Sequence, residues 1–429
     1  MPIEEIGNQF MATFAPVRTS FHPPIPQTFG DLGIPENLVL DLVLRRMLIE
    51  GFCSLATLSQ SLRVSVPVVD TIFKHMRQQQ LVEIKGMLGN DYNFVLSQAG
   101  KNLANERFQV SQYAGACPVS LQAYHDATKA QSAKVSVDRR ALRKAFSDLV
   151  VSDRLLDQLG PAIISQTSIF VYGPTGNGKT SLAERMLRVY QDAVRIPYAV
   201  EVDKQIISVF DPVVHQVVEQ EDQEDADPRW ILCKRPCILV GGELIPSMLE
   251  LRLDEASGIY AAPLQMKANN GILLIDDFGR QLMSPRDLLN RWIVPLDRRI
   301  DYLMLRYGVK FQIPFEVMVV FSTNLDPSDL ADEAFLRRIH NKILVEAVDP
   351  ASFDQIFDRV VQARNIEAES DSAEYLRKLC LREGRTELRA CYPADICNIL
   401  TSIGRYEGRP PLMTKSEMER ATSLYFAKG

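Results

Sequence analysis

The sequence predicts an α/β fold with a parallel sheet and a phosphate-binding loop, preceded by a smaller front domain and followed by a helical part. Three observations carry this expectation. A short apolar strand, SIFVY, runs into GPTGNGKT at 173–180 and then into a helical stretch, SLAERML. A second apolar strand, Ile272–Ile275, ends in Asp276 and Asp277. From 168 to about 338, apolar strands alternate with helical segments, the pattern of a parallel sheet covered by helices.

Bulk properties narrow the options. A chain of 429 residues is long enough for two or three domains. Its 46% hydrophobic and 24% charged residues are an ordinary globular mix. The net charge of −6, from 48 basic and 54 acidic residues, supplies no global field for nucleic acid or anionic lipid. No apolar run reaches the roughly eighteen residues of a membrane span. The start, MPIEEIGNQF, lacks the basic-then-apolar layout of a signal peptide. A cytoplasmic protein with no membrane insertion is expected. The cysteines at 53, 117, 233, 237, 380, 391 and 397 have no strong zinc spacing and read as free thiols.

Residues 1–34, rich in Pro, Phe and Gly, read as an irregular arm laid over another domain. Residues 35–108 hold three helical segments, PENLVLDLVLRRMLIE, SLATLSQSL and PVVDTIFKHMRQQQ. Two alternating stretches joined by MLGND follow, and then a last helix, QAGKNLANERF. Residues 109–136 read as a linker and 137–167 as helical. An α/β nucleotide-binding domain is expected over 137–339, and an all-helical lid over 340–429. The acidic stretch EQEDQEDADP at 219–228 reads as a solvated loop insertion.

The loop at 173–180 has a mechanical logic. Gly173, Gly176 and Gly178 let backbone N–H groups turn inward around phosphate oxygens, with Pro174, Thr175 and Asn177 between them. The following helix adds the positive end of its dipole, beginning at Lys179, Thr180 and Ser181. Lys179 would reach the β- and γ-phosphates of ATP, and Thr180 would ligate Mg²⁺. A chance match of the four fixed positions in a chain this long is expected about once in a hundred. Asp276 would hold the Mg²⁺ through water, and Asp277 is placed to orient the attacking water.

These two motifs together resemble the AAA+ ATPases, although that family's acidic motif usually ends Asp-Glu and here it ends Asp-Asp. Further segments are similar. VMVVFSTNLDP resembles the sensor 1 strand, which makes Asn324 the residue that hydrogen-bonds the attacking water or the γ-phosphate. DEAFLRRIHNKI resembles the segment carrying an arginine finger, with Arg338 aligned best and Arg337 beside it. Such a finger acts on a neighbouring subunit, so the resemblance implies a homo-oligomeric ring. APLQMKANNGILLIDD and the hairpin expected around Tyr307-Gly308 resemble the magnesium-chelatase and MoxR-like branch, including bacterial "predicted ATPases with chaperone activity". The helix before that hairpin should start at Ser284-Pro285, a cap followed by a first-turn proline. The lid departs from pattern: Ala394 stands where a second sensor arginine is expected, and Arg389 is either its substitute or a solvated residue.

Residues 35–108 resemble the winged-helix domains of bacterial regulators. The third helix would offer Lys74, His75 and Arg77, against Asp70, to DNA. Acids and bases nearly cancel across this stretch, so protein docking is the stronger expectation and DNA binding the alternative. The GIYAAP loop around Tyr260 either faces a pore or packs inside, and His215 reads as structural. The expected function is MgATP-driven remodelling of a protein client, with a nucleotide-gated DNA-binding regulator or loader as the alternative.

Overall fold

The computed structural model of the chain describes residues 19–88, 91–134, 137–219, 226–330, 333–382 and 385–426. The first eighteen residues of the expected arm, the turn at 89–90 and most of the acidic stretch, 220–225, lie outside the described residues. The rest of the arm is irregular apart from one 3-10 turn, Gly30–Leu32. It does lie over other parts of the chain. The Phe21 ring meets Trp230 edge-on at 5.6 Å, and the Pro23 carbonyl accepts the Asp227 N–H at 3.0 Å.

The front elements follow the sequence pattern. Helices α1 (Glu36–Glu50), α2 (Leu55–Leu62) and α3 (Val66–Gln78) precede the antiparallel pair β1 (Val82–Leu88) and β2 (Asp91–Leu96). Helix α4 (Gln98–Val110) closes the unit. On α1 the buried residues Val39, Leu42, Val43 and Met47 recur at helical spacing and share one core with Phe73, Phe94 and Leu96. Ser54 and Ser97 cap α2 and α4 by accepting the N–H groups of Thr57 and Gly100.

The expected linker at 109–136 is corrected. It contains β3 (Val119–Ser120) and α5 (Leu121–Ala130). Val119, Tyr124 and Ala127 are buried in a core that a second sheet provides. Short polar runs around Gly115 and Pro118 masked this amphipathic helix in the sequence.

Helices α6 (Arg139–Ala145) and α7 (Asp153–Ser165) lead into β4 (Ile169–Tyr172), the phosphate loop and α8 (Lys179–Met186). Then come β5 (Ala193–Pro197), β6 (Ala199–Val202), β7 (Gln205–Ser208), β8 (Trp230–Lys234) and β9 (Cys237–Val240). β10 (Arg252–Asp254), β11 (Ile259–Ala261) and α9 (Leu264–Lys267) precede β12 (Ile272–Ile275). The expected α/β domain is therefore not one sheet. A mixed sheet of order β10-β11-β7-β6-β3 stands beside the parallel one, and β5 pairs separately with β8. Tyr260 lies on β11 and is 1% exposed, so the packing reading of that loop holds and the pore reading is corrected.

Helices α10 (Pro285–Arg291) and α11 (Ile293–Arg298) follow, and Ser284 caps α10 as expected, accepting the Asp287 N–H. The hairpin around Tyr307-Gly308 is β13 (Ile300–Met304) with β14 (Lys310–Pro314). Next come β15 (Met318–Thr323), the one-turn helices α12 (Pro327–Leu330) and α13 (Glu333–Leu336), and β16 (Asn341–Leu344). β16 corrects the strandless lid expected from residue 340: it pairs in parallel with β4. Only Ile343 of its four residues is buried, so it has no apolar run to announce it. The helical part begins later, with α14 (Pro350–Ala363), α15 (Ser372–Cys380), α16 (Tyr392–Tyr406) and α17 (Lys415–Tyr425) around their own core.

The parallel sheet has the order β16-β4-β15-β12-β9, and every pairing in it is parallel. Its side chains divide by strand alternation. Phe170, Leu273, Ile275, Val319 and Phe321 enter one core. Ile169, Val171, Ile272, Leu274 and Val320 enter the other. Burial on both faces explains why these strands read as unbroken apolar runs.

Candidate functional site

Because β15 lies between β4 and β12 and all three run the same way, three chain segments leave one edge of the sheet side by side. These are the loop after Tyr172, Asn324 after β15, and Asp276-Asp277 after β12. Open α/β sheets bind ligands at this carboxyl edge.

The loop ends at Gly178, which caps α8 in the left-handed region at φ 78° with no side-chain bond. A Cβ there would meet nothing within 4 Å, so backbone conformation alone selects glycine. Gly176 differs: its Cβ would lie 2.6 Å from Cys391 Sγ. The helical part sits directly on the loop at that point. Cys391 N–H donates to the Gly176 carbonyl at 2.9 Å, and Ala390 N–H donates to Asn177 Oδ1 at 3.1 Å. Arg389 Nη1 donates to Thr175 Oγ1 at 3.0 Å. Arg389 therefore lies at the phosphate loop.

Lys179 is buried, and its ammonium donates to the carbonyls of Gly173 and Pro174 at 2.9 and 3.0 Å. Desolvation pulls its pKa below the ordinary 10.5, Asp276 and Asp277 oppose that shift, and Arg389 adds to it. Thr180 Oγ1 donates to Asp276 Oδ2 at 2.7 Å, joining the loop helix to the acid strand. Asp276 Oδ1 accepts the backbone N–H of Asp277 at 3.0 Å. Asp277 has φ 48°, an uncommon conformation for a residue with a side chain, and is exposed. Gln281 Nε2 holds that turn by donating to the carbonyls of Asp276 and Asp277 at 2.8 and 3.2 Å. Thr323 Oγ1 donates to the Phe278 carbonyl at 2.7 Å and ties β15 to the same turn.

Among the described residues, the buried Asn177 Nδ2, Arg389 Nε and Asn324 Oδ1 at this edge have no protein partner. Buried polar groups normally find partners. A loop with spare donors, a buried ammonium and a hydroxyl–carboxylate pair fits a phosphorylated ligand accompanied by a divalent cation. Ser181, the last residue expected at the loop, follows Thr180 on the first turn of α8.

Arg337 and Arg338 are not part of this cluster. Arg338 Nε pairs with Asp297 at 2.9 Å, and its carbonyl accepts from Ser168, which precedes β4. The phosphate loop leaves the other end of β4, on the order of 13 Å away at strand rise. Arg337 is exposed and pairs with Glu333 at 3.1 Å. His215 is buried; its Nδ1 accepts the Asp211 N–H, and Nε2 meets the Lys267 carbonyl at 2.9 Å, as a structural role requires. Among the described residues no His, Cys, Asp or Glu cluster forms a metal site, and no helix is long and apolar enough to cross a membrane.

Sequence reasoning missed two contributors. Gln281 gave no signal beyond lying in the turn after the acid pair. The contacts of Asn177 with residue 390 join positions 213 apart, which no local pattern reports.

Residues 349–424, the helical part from the cap of α14 to α17, match the model of a domain of unknown function, DUF8689. Comparison with curated proteins finds no match. Among solved structures, NtrX from Brucella abortus is similar at 13% identity and a TM-score of 0.37, over 74% of this chain and 59% of that one. A RuvB mutant from Thermotoga maritima is similar at 15% identity and a TM-score of 0.38, over 66% and 73%. The chain thus spans about three fifths of the length of the NtrX chain. The α/β assignment itself rests on the parallel sheet and the loop at its edge.

Proposed function

We propose that the chain is a Mg²⁺-dependent ATPase of the AAA+ class that uses hydrolysis to remodel a protein partner in the cytoplasm. The observation that carries this reading is the 2.7 Å bond between Thr180 and Asp276, with Lys179 on the preceding residue and Asn324 emerging between the two motifs. ATP is the substrate. Lys179 and the loop amides would bind its phosphates, and Arg389 would bring a second cation from the helical part. Thr180 and Asp276 would hold Mg²⁺, which neutralises charge on the phosphate oxygens. Asp277 would orient a water and take its proton, and Asn324 would fix that water's position. Arg338 would act only on a neighbouring subunit, after leaving Asp297.

The front unit supports a winged-helix reading through its three helices and antiparallel pair. On α3 Lys74 pairs with Asp70 at 2.6 Å, and the His75 ring bonds Gln79 at 2.9 Å. That favours docking of a protein over phosphate contacts.

Lys179→Ala decides the central point. It should abolish binding of a fluorescent ATP analogue while leaving the circular dichroism spectrum unchanged; retained binding would remove the nucleotide reading altogether. Steady-state hydrolysis by the intact chain should rise faster than linearly with protein concentration and need no DNA. Salt-sensitive duplex binding that differs between ATP and ADP would instead favour the DNA regulator.

A further inference from the structure

We propose that the chain has a second anion site, sharing no residue with the phosphate loop, where the front helices meet the mixed sheet, and that it binds a free oxyanion of the phosphate class. The site is a pocket of about 70 Å³ lined by Asp41 and Arg45 of α1, Arg107 of α4, Ser111, and Lys204 and Gln205 of the β6–β7 turn. It does not depend on the nucleotide reading.

Arg45 is the anchor. It is 3% exposed, yet it is a guanidinium. Nε donates to the Asp41 carbonyl at 3.1 Å, and Nη1 donates to the Ser111 carbonyl at 3.0 Å. Nη2 is buried and has no partner. Desolvation lowers the Arg45 pKa, outweighing the opposing effects of Asp41 and Tyr113. A buried cation with a spare donor is costly unless something satisfies it.

The surrounding charge points to what that is. Arg107 and Lys204 bring two more cations to the pocket. The acid among the lining residues, Asp41, is engaged by Arg107 at 3.1 Å. Glu201 lies beyond the pocket lining, and its carboxylate accepts the Lys204 backbone N–H at 2.7 Å. The hydroxyl of Ser111 and the amide of Gln205 add neutral donors. Waters alone would leave the three lining cations, Arg45, Arg107 and Lys204, against the one lining carboxylate, Asp41. At roughly 10–15 Å³ of such cavity space per water, the pocket takes several waters or one tetrahedral oxyanion.

Such an anion would bridge α1 and α4 to the β6–β7 turn. The two units already touch there, through Leu38 against Ala199 and Ile206. Occupancy should therefore strengthen the join between the front unit and the mixed sheet.

The test uses the full chain carrying Lys179→Ala, which disables the phosphate loop. Inorganic phosphate is titrated by calorimetry and by thermal unfolding, with sodium chloride at matched ionic strength as control. Saturable binding is expected, with a rise in Tm that chloride does not give; sulfate should replace phosphate. Arg107→Gln and Lys204→Ala, both at partly exposed side chains, should each weaken binding on the order of tenfold. Arg45→Met should abolish it; if that variant does not fold, the two exposed substitutions decide. Absence of saturable phosphate binding, or affinity unchanged when Arg107→Gln and Lys204→Ala are combined, overturns the proposal.

Discussion

Lys179 sits between two opposing influences. Burial lowers its pKa, and two carboxylates partly restore it. The sign of the consequence is definite: only the charged form attracts a triphosphate, so ATP affinity should fall as pH rises through the Lys179 pKa. With that pKa below 10.5, the decline starts at a lower pH than for an exposed lysine. Equilibrium titrations from neutral to alkaline pH check this, and Lys179→Arg should flatten the profile. Asp277 offers a second test at the same scale. Its backbone strain and exposure suit a group that handles water rather than one that holds the fold. Asp277→Asn should leave ATP affinity within a few-fold and lower kcat on the order of 10²- to 10⁴-fold. Rapid-quench assays should show ATP bound and uncleaved; normal turnover would take the water-activating role from this residue.

At the scale of elements, the helical part and the phosphate loop are one mechanical unit. The chain just before α16 supplies Arg389, Ala390 and Cys391 to Thr175, Asn177 and Gly176 in turn. Movement of those helices must therefore change the loop. Gly176→Ala should destabilise the chain by about 1–3 kcal/mol, because its Cβ would overlap Cys391 Sγ. Cys391→Ala removes that sulfur and should recover on the order of 1 kcal/mol in the double variant. The remainder reflects the φ of 80° at residue 176, which a side chain disfavours. Urea melts of the four proteins complete the cycle, and strict additivity would separate the loop from the helical part. The parallel strands β4, β12 and β15 were legible in the sequence because double-sided burial leaves unbroken apolar runs. β16 was not, because one buried residue in four makes no pattern. Helix α5 was hidden for a related reason: its apolar face is narrow, and its partner is a sheet whose strands are distant in sequence.

For the whole molecule, the open question is assembly. Arg338 is tied to Asp297 and anchored at the end of β4 opposite the phosphate loop, so within one chain it cannot serve its own site. If it completes a neighbour's site, Arg338→Ala subunits mixed with unmodified ones should depress activity more steeply than their fraction in the mixture. A strictly proportional loss would take the finger role from Arg338. Sedimentation velocity with and without ATP would report the ring directly.

By itself the sequence determined what is local. The phosphate loop and its helix, the apolar strand ending in two acids, the Ser284 cap and the hairpin at Tyr307-Gly308 each lie within a few residues of one another, where backbone preference and periodicity act. Tertiary structure alone decided which strands stand side by side, so that Asn324 emerges between Lys179 and Asp276. It also brought Arg389 to Thr175 and surrounded Arg45 with charges from three elements. Those contacts join residues tens to hundreds of positions apart, and packing, not local preference, selects them.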